Sequence, residues 1–177
     1  MRWLFALALA GLAACSSAGG GPRAERALPE PITVTSAAFD AGEPIPQRFS
    51  CDGDNIWPPL TWSEIPAGTM EVALVVDDPD APRGTYVHWV VLGIDPTRTE
   101  LAEGVLPPGA RQARNSAGDA AYAGPCPPDG PAHHYRFTVY ALQRTPDVAD
   151  DATPDAAIQA IEAAATARGR LVGTYER

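Results

Sequence analysis

The chain contains three histidines, His88, His133 and His134, and all of them fall inside two short proline-rich segments. The first segment runs Asp77-Asp78-Pro79-Asp80-Ala81-Pro82 and continues through Tyr86-Val87-His88-Trp89. The second runs Gly124-Pro125-Cys126-Pro127-Pro128 and continues to His133-His134-Tyr135. Imidazole is the side chain whose charge and donor capacity change nearest neutral pH. Its confinement to two segments predicts that they meet at one site. His88, His133 and Tyr135 would line that site as hydrogen-bond donors. Backbone N–H groups near Gly124 would add to them, because glycine permits close approach. Pro125, Pro127 and Pro128 would stiffen one wall and reduce the ordering cost of binding. Such a set suits a small anion: a phosphate, a phosphate monoester or a carboxylate. Asp78 fits beside an anion only as the acceptor for a histidine ring, fixing its tautomer and making the other nitrogen a better donor. The competing reading of Asp78 is structural, a carboxylate that caps the turn before Pro79.

These side chains need a rigid frame, and the hydrophobic pattern predicts one made of strands. Val72 to Val76 is continuously apolar, the mark of a strand covered on both faces, and it delivers Asp77 and Asp78 at its end. His88 to Leu92 reads as a second such strand, with Tyr86, His88, Val90 and Leu92 on one face by the period of two. Tyr135 to Leu142 alternates most clearly: Tyr135, Phe137, Val139 and Ala141 face one way, Arg136, Thr138, Tyr140 and Leu142 the other. His133 is in phase with Tyr135 and becomes the site candidate, while His134 points away to a surface or edge. Further strands are expected over Ile32–Thr35, about Phe49, after Pro59 and over Leu171–Tyr175. The stretch 94–123 reads as a long loop, packed as a lid or functional. Thr153-Pro154-Asp155 opens a helix whose buried stripe is Ile158, Ile161 and Ala165 and which Gly169 should end. The fold class is therefore mainly β with one helix near the C-terminus.

Composition narrows the chemistry. All thirteen basic residues are arginine, which removes lysine Schiff bases and phosphate loops built on lysine. The formal charge of −9 repels nucleic acid, and no basic stripe offsets it. A hydrolase using Asp78 and a histidine as base is the alternative function. Ser50, Ser63 and Ser116 carry no nucleophile motif to support it. Metal binding by His88, His133 and a carboxylate lacks close ligand spacing. No metal and no cofactor is expected.

At the N-terminus Arg2 precedes the apolar run Trp3–Leu12, the layout of an export signal too short to span a bilayer. Leu12-Ala13-Ala14-Cys15 resembles the lipobox, which implies acylation of Cys15. Ser16 beside it resembles an outer-membrane sorting pattern. The expected organisation is a signal over residues 1–14, a flexible tether over 15–30 and a single domain over 31–177. The protein would be exported and held on a bilayer through acylated Cys15, at the periplasmic face of the outer membrane. Cys51 and Cys126 then remain as an even pair. In an exported protein they suggest a disulfide, the alternative being two free buried thiols.

The motifs Asp78-Pro79-Asp80-Ala81-Pro82 with His88-Trp89, and Gly124-Pro125-Cys126-Pro127-Pro128 with His133-His134-Tyr135-Arg136-Phe137, resemble the phosphatidylethanolamine-binding protein family. The bacterial Raf-kinase-inhibitor-like branch is the nearest, and the resemblance runs from about Ile32 to Tyr175. It implies a Greek-key β-sandwich and a small anion pocket, and a donor-rich pocket without a nucleophile motif is expected to bind without catalysis. Asp78, His88, His133 and Tyr135 match the family's pocket residues, with Pro82, Gly124 and Pro125 as walls. Tyr86 stands where animal members tend to carry Trp, and the helix that follows in those members has no counterpart after Tyr175. A small anion, rather than a lipid, is thus the expected ligand. The resemblance also implies a homodimer, and a kinase or protease as a protein partner.

Overall fold

The computed structural model describes residues 25–177 with the exception of Glu64. The expected signal segment, Cys15 and most of the tether lie outside the described residues. Two antiparallel sheets and one helix make three layers. The smaller sheet joins β1 (Val34–Thr35), β2 (Leu60–Trp62) and β5 (Glu100–Leu101) in the order β1-β2-β5. The larger joins β3 (Glu71–Asp78), β4 (Tyr86–Ile94), β6 (Arg111–Ala113), β7 (His133–Leu142) and β8 (Ala165–Tyr175) in the order β6-β4-β3-β7-β8. Helix α1 (Pro154–Ala164) covers the far face of the larger sheet. No helix among the described residues is long and apolar enough to cross a membrane.

The strand patterns explain the layering. β3 is apolar at every central position because both its faces are buried. Val72, Leu74 and Val76 enter the core between the sheets, and Ala73 and Val75 enter the core beneath α1. β7 divides as its alternation predicts, with Tyr135, Phe137, Val139 and Ala141 between the sheets and Tyr140 and Leu142 under the helix. At roughly 25 cal/mol per Å² of apolar surface removed from water, these two layers supply most of the driving force for folding.

Four expectations are corrected. Tyr86, His88, Val90 and Leu92 do not share a face. Val76 pairs with Trp89 while Asp77 pairs with Val87, so His88 is an extra residue in β4. Such a bulge interrupts the alternation: Trp89 joins the inter-sheet core, whereas Val87, Val90 and Leu92 pack beneath α1. The helix ends at Ala164, not Gly169, and β8 begins at the next residue. Ala165–Arg168 favour helix locally, but the ladder from Ala165–Leu142 to Tyr175–His133 wins. Gly169 instead lies mid-strand, where an added Cβ would sit 1.9 Å from the Ile32 carbonyl oxygen. The segment about Phe49 is a 3-10 turn, Gln47–Phe49, closed by the Phe49 N–H on the Pro46 carbonyl at 2.9 Å. The long loop 94–123 carries two short strands, β5 and β6.

The end of the expected tether is docked onto the domain. The Glu25 carboxylate bonds Arg168 and Arg170, Glu30 bonds Arg168, and Leu28 packs against the core beneath α1.

Candidate functional site

β3 ends at Asp78 beside the start of β7, because Asp77 pairs with Arg136 in the ladder. Asp78 is 3% exposed. Its Oδ2 accepts a hydrogen bond from His133 Nδ1 at 2.7 Å, and its Oδ1 accepts the Asp80 N–H at 2.8 Å. Both sequence readings of this residue hold in one side chain: it orients a ring and it caps the turn. His134 points away and is half exposed, and its N–H and Nδ1 both bond Asp80 Oδ2, at 2.9 and 2.7 Å.

The bulge in β4 turns His88 toward the same hollow. Its Nδ1 donates to the Ala123 carbonyl at 2.7 Å, and the Ala123 N–H returns a bond to the His88 carbonyl at 3.0 Å. Burial holds the His88 pKa below its ordinary value; the Ala123 carbonyl and the Asp78 carboxylate act the other way and do not overcome it. Tyr135 meets the His88 ring edge-on at 5.2 Å, and Tyr86 lies at 4.8 Å from it. The Tyr135 hydroxyl is buried and has no hydrogen-bond acceptor among the described residues. Burial, with the Asp78 charge second, pushes its pKa well above the ordinary phenol value, while the Cys126 backbone beside the hydroxyl oxygen acts the other way.

The opposite wall is the segment 123–128, strapped to residues 49–55. Cys51 and Cys126 form a disulfide. The Cys51 N–H donates to the Pro125 carbonyl at 3.0 Å, the Gly124 N–H to Asn55 Oδ1 at 2.7 Å, and the Tyr122 hydroxyl to the Phe49 carbonyl at 3.0 Å.

These elements enclose an open cavity of about 300 Å³. Of the residues expected at the site, Asp78, Pro82, Tyr86, His88, Gly124, His133 and Tyr135 line it. Pro125 does not: it is buried behind the wall, fixed by the strap to Cys51. The Gly124 N–H is likewise no free donor, since Asn55 takes it. Gly124 is glycine because a Cβ would lie 2.4 Å from the Phe49 carbonyl oxygen, and not because a ligand approaches it. Asn55, Ala123, Pro127 and Pro128 line the cavity too, as do Cys51 and Cys126. Asn55 is missed by pattern reading; its nearness to Cys51, once that residue is bridged to Cys126, is the signal that places it opposite Gly124.

Among the described residues, no serine or threonine lines the cavity. Ser50 Oγ bonds the Gln47 carbonyl, Ser63 Oγ accepts the Thr33 N–H and Ser116 Oγ accepts the Val87 N–H. Each of these serines is engaged in holding backbone. The cavity thus offers two oriented imidazoles, an unpartnered phenol and one buried carboxylate on a partly apolar floor.

A family model described as phosphatidylethanolamine-binding protein matches residues 35–176. "Putative lipoprotein LppC" of Mycobacterium tuberculosis is 53% identical over 148 residues, spanning 83% of this chain and 73% of that protein. A "UPF0098 protein" of Methanothermobacter thermautotrophicus is 41% identical over 151 residues, 82% of this chain and 99% of that one. The crystal structure of E. coli YbcL, described as a new member of the mammalian PEBP family, is similar with a TM-score of 0.79 at 35% identity, over 82% of this chain and 98% of that one.

Proposed function

The chain belongs to the phosphatidylethanolamine-binding protein family, and from that premise we propose that it is a non-catalytic binding protein whose pocket holds a small oxyanion. The observation that carries this reading is the Tyr135 hydroxyl, a buried donor with no acceptor among the described residues, beside His133 held by Asp78. A buried polar group left unpaired costs about 1–3 kcal/mol, a cost that a ligand oxygen accepting from it would recover. Isothermal titration with inorganic phosphate and with a simple phosphate monoester tests the idea. Binding should be seen with wild type and be lost in His88→Ala and His133→Ala; absence of heat with wild type would refute it.

A hydrolase using Asp78–His133 as base is the second reading, favoured by that one short contact. It would have to activate water, since the serines that pattern reading considered are engaged elsewhere. Turnover of esters or phosphate esters that disappears in His133→Ala would favour it over simple binding.

The similarity to a protein named a lipoprotein supports acylation of Cys15 and export to the envelope, with the periplasmic face of the outer membrane as the expected site. Mass analysis of the mature N-terminus, in wild type and Cys15→Ser, reads the acyl chains directly.

A further inference from the structure

Among the described residues, no arginine lines the cavity proposed to hold an anion. Its one charged carboxylate is Asp78, and its other titratable groups are His88, His133, Tyr86 and Tyr135. Exposed Arg83 and Asp129, next to Pro82 and Pro128 of the lining, carry opposite charges, and two further neighbouring charges are paired. Asp77 is paired with Arg136 and Asp80 with His134. Arg177, at the Cys126 margin, donates to Sγ at 3.7 Å and lies 3.2 Å from Asp52. With both imidazoles neutral the lining is negative overall, the wrong sign for an anion.

The hydrogen bonds sharpen this. A carbonyl and a carboxylate only accept, so the ring hydrogen of His88 sits on Nδ1 facing Ala123, and that of His133 on Nδ1 facing Asp78. In each neutral ring Nε2 is then a lone pair, an acceptor. A fully ionised oxyanion would meet both of these lone pairs, beside the neutral hydroxyls of Tyr86 and Tyr135 and the Asn55 amide. Added protons reverse this. A proton on His133 would rest against Asp78, making that pair neutral overall and its Nε2 a donor. His88 is 5% exposed, and its burial disfavours a charge, which leaves its Nε2 as an acceptor for a ligand O–H.

Resting on the anion reading above, we propose that the pocket takes up its ligand together with a proton, and that it selects a monoprotonated phosphate or phosphate monoester over a carboxylate or sulfate. His133 and Tyr135 would donate to two ligand oxygens, and His88 would accept from the ligand's O–H. A carboxylate or sulfate ester has no hydrogen to give near neutral pH and would leave the His88 lone pair unpartnered.

The test uses wild-type protein throughout, so no arm depends on a variant folding. Methyl phosphate is titrated at about pH 8, where such esters are mostly dianions because their second pKa is near 6, in two buffers of different ionisation heat. The apparent enthalpies should differ by the amount that marks uptake of about two protons, one on the ligand and one on His133, with affinity falling about a hundredfold per pH unit above that point. Methyl sulfate, the same shape without a titratable hydrogen, should bind at least about tenfold more weakly, which corresponds to about 1.4 kcal/mol. Equal heats in both buffers with affinity independent of pH, or equal affinity for the two esters, would overturn the proposal while leaving an anion site intact. No binding of either ester at any pH would overturn both readings.

Discussion

His133 Nδ1 lies 2.7 Å from Asp78 Oδ2, joining the first residue of β7 to the last of β3 across 55 positions of sequence. Through its other oxygen the same carboxylate holds the Asp80 N–H. One buried side chain therefore fixes both a ring that lines the pocket and the turn that carries Ala81 and Pro82 into its wall.

Asp78→Ala should accordingly damage two structures at once. It leaves the His133 ring N–H and the Asp80 N–H without acceptors, at about 1–3 kcal/mol each, and frees the turn. Chemical denaturation should show the loss, and the His133 ring resonances should show a ring no longer held in one tautomer. An unchanged His133 spectrum would mean that the contact does not orient the ring.

Tyr135→Phe should separate stability from binding. The Tyr135 hydroxyl is buried with no acceptor among the described residues, so its removal should leave the ligand-free protein as stable or about 1 kcal/mol more stable. Phosphate affinity should fall by about tenfold, the loss of one hydrogen bond to a charged group. Paired thermal melts and titrations check this; a destabilised variant with undiminished binding would show that the hydroxyl serves the fold and not the pocket.

The Cys51–Cys126 bridge closes a loop of sequence separation 75, which the chain-entropy account values at about 4 kcal/mol. Cys51→Ser with Cys126→Ser should lower the denaturation midpoint by an amount of that order. The pocket should loosen without collapsing, because Gly124–Asn55, Cys51–Pro125 and Tyr122–Phe49 still hold the wall. Binding by the double variant, measured beside its unfolding curve, tests both halves.

Legibility in the sequence followed how local each cause was. The two faces of β7 and the burial of β3 are properties of the strands themselves, and alternation or its absence reveals them. The cavity was legible through residue types that it concentrates, His88, His133, Asp78 and Tyr135. The bulge at His88 was not, because it exists only relative to the register of β3. The strand from Ala165 was hidden for a related reason: Ala165–Arg168 favour helix locally, and only the ladder with β7 decides against it. Gly124 misled because glycine marks close approach without saying what approaches; here it is the Phe49–Ser50 backbone and the Asn55 amide. Asn55 sits in a run of turn residues whose role appears only when the disulfide brings it to the wall.

The pH dependence of folding should carry a contribution from His88. Burial depresses its pKa below the ordinary 6.5, while in the unfolded chain the ring titrates normally. Between those two values the unfolded chain binds more protons than the folded one, so stability rises with pH there. The contribution is fully present above about pH 6.5 and is lost as pH falls through that value toward the folded pKa, by at most about 1.4 kcal/mol per pH unit for one proton. Urea midpoints from about pH 8 to about pH 5, for wild type and His88→Gln, isolate it. His133 and His134 keep their carboxylate partners in both proteins and cancel from the difference. The stability advantage of wild type should shrink as acid is added, leaving the variant with the flatter curve. Parallel curves for the two proteins would mean that His88 takes up its proton in the folded state as readily as in the unfolded chain, and that its burial does not hold it neutral.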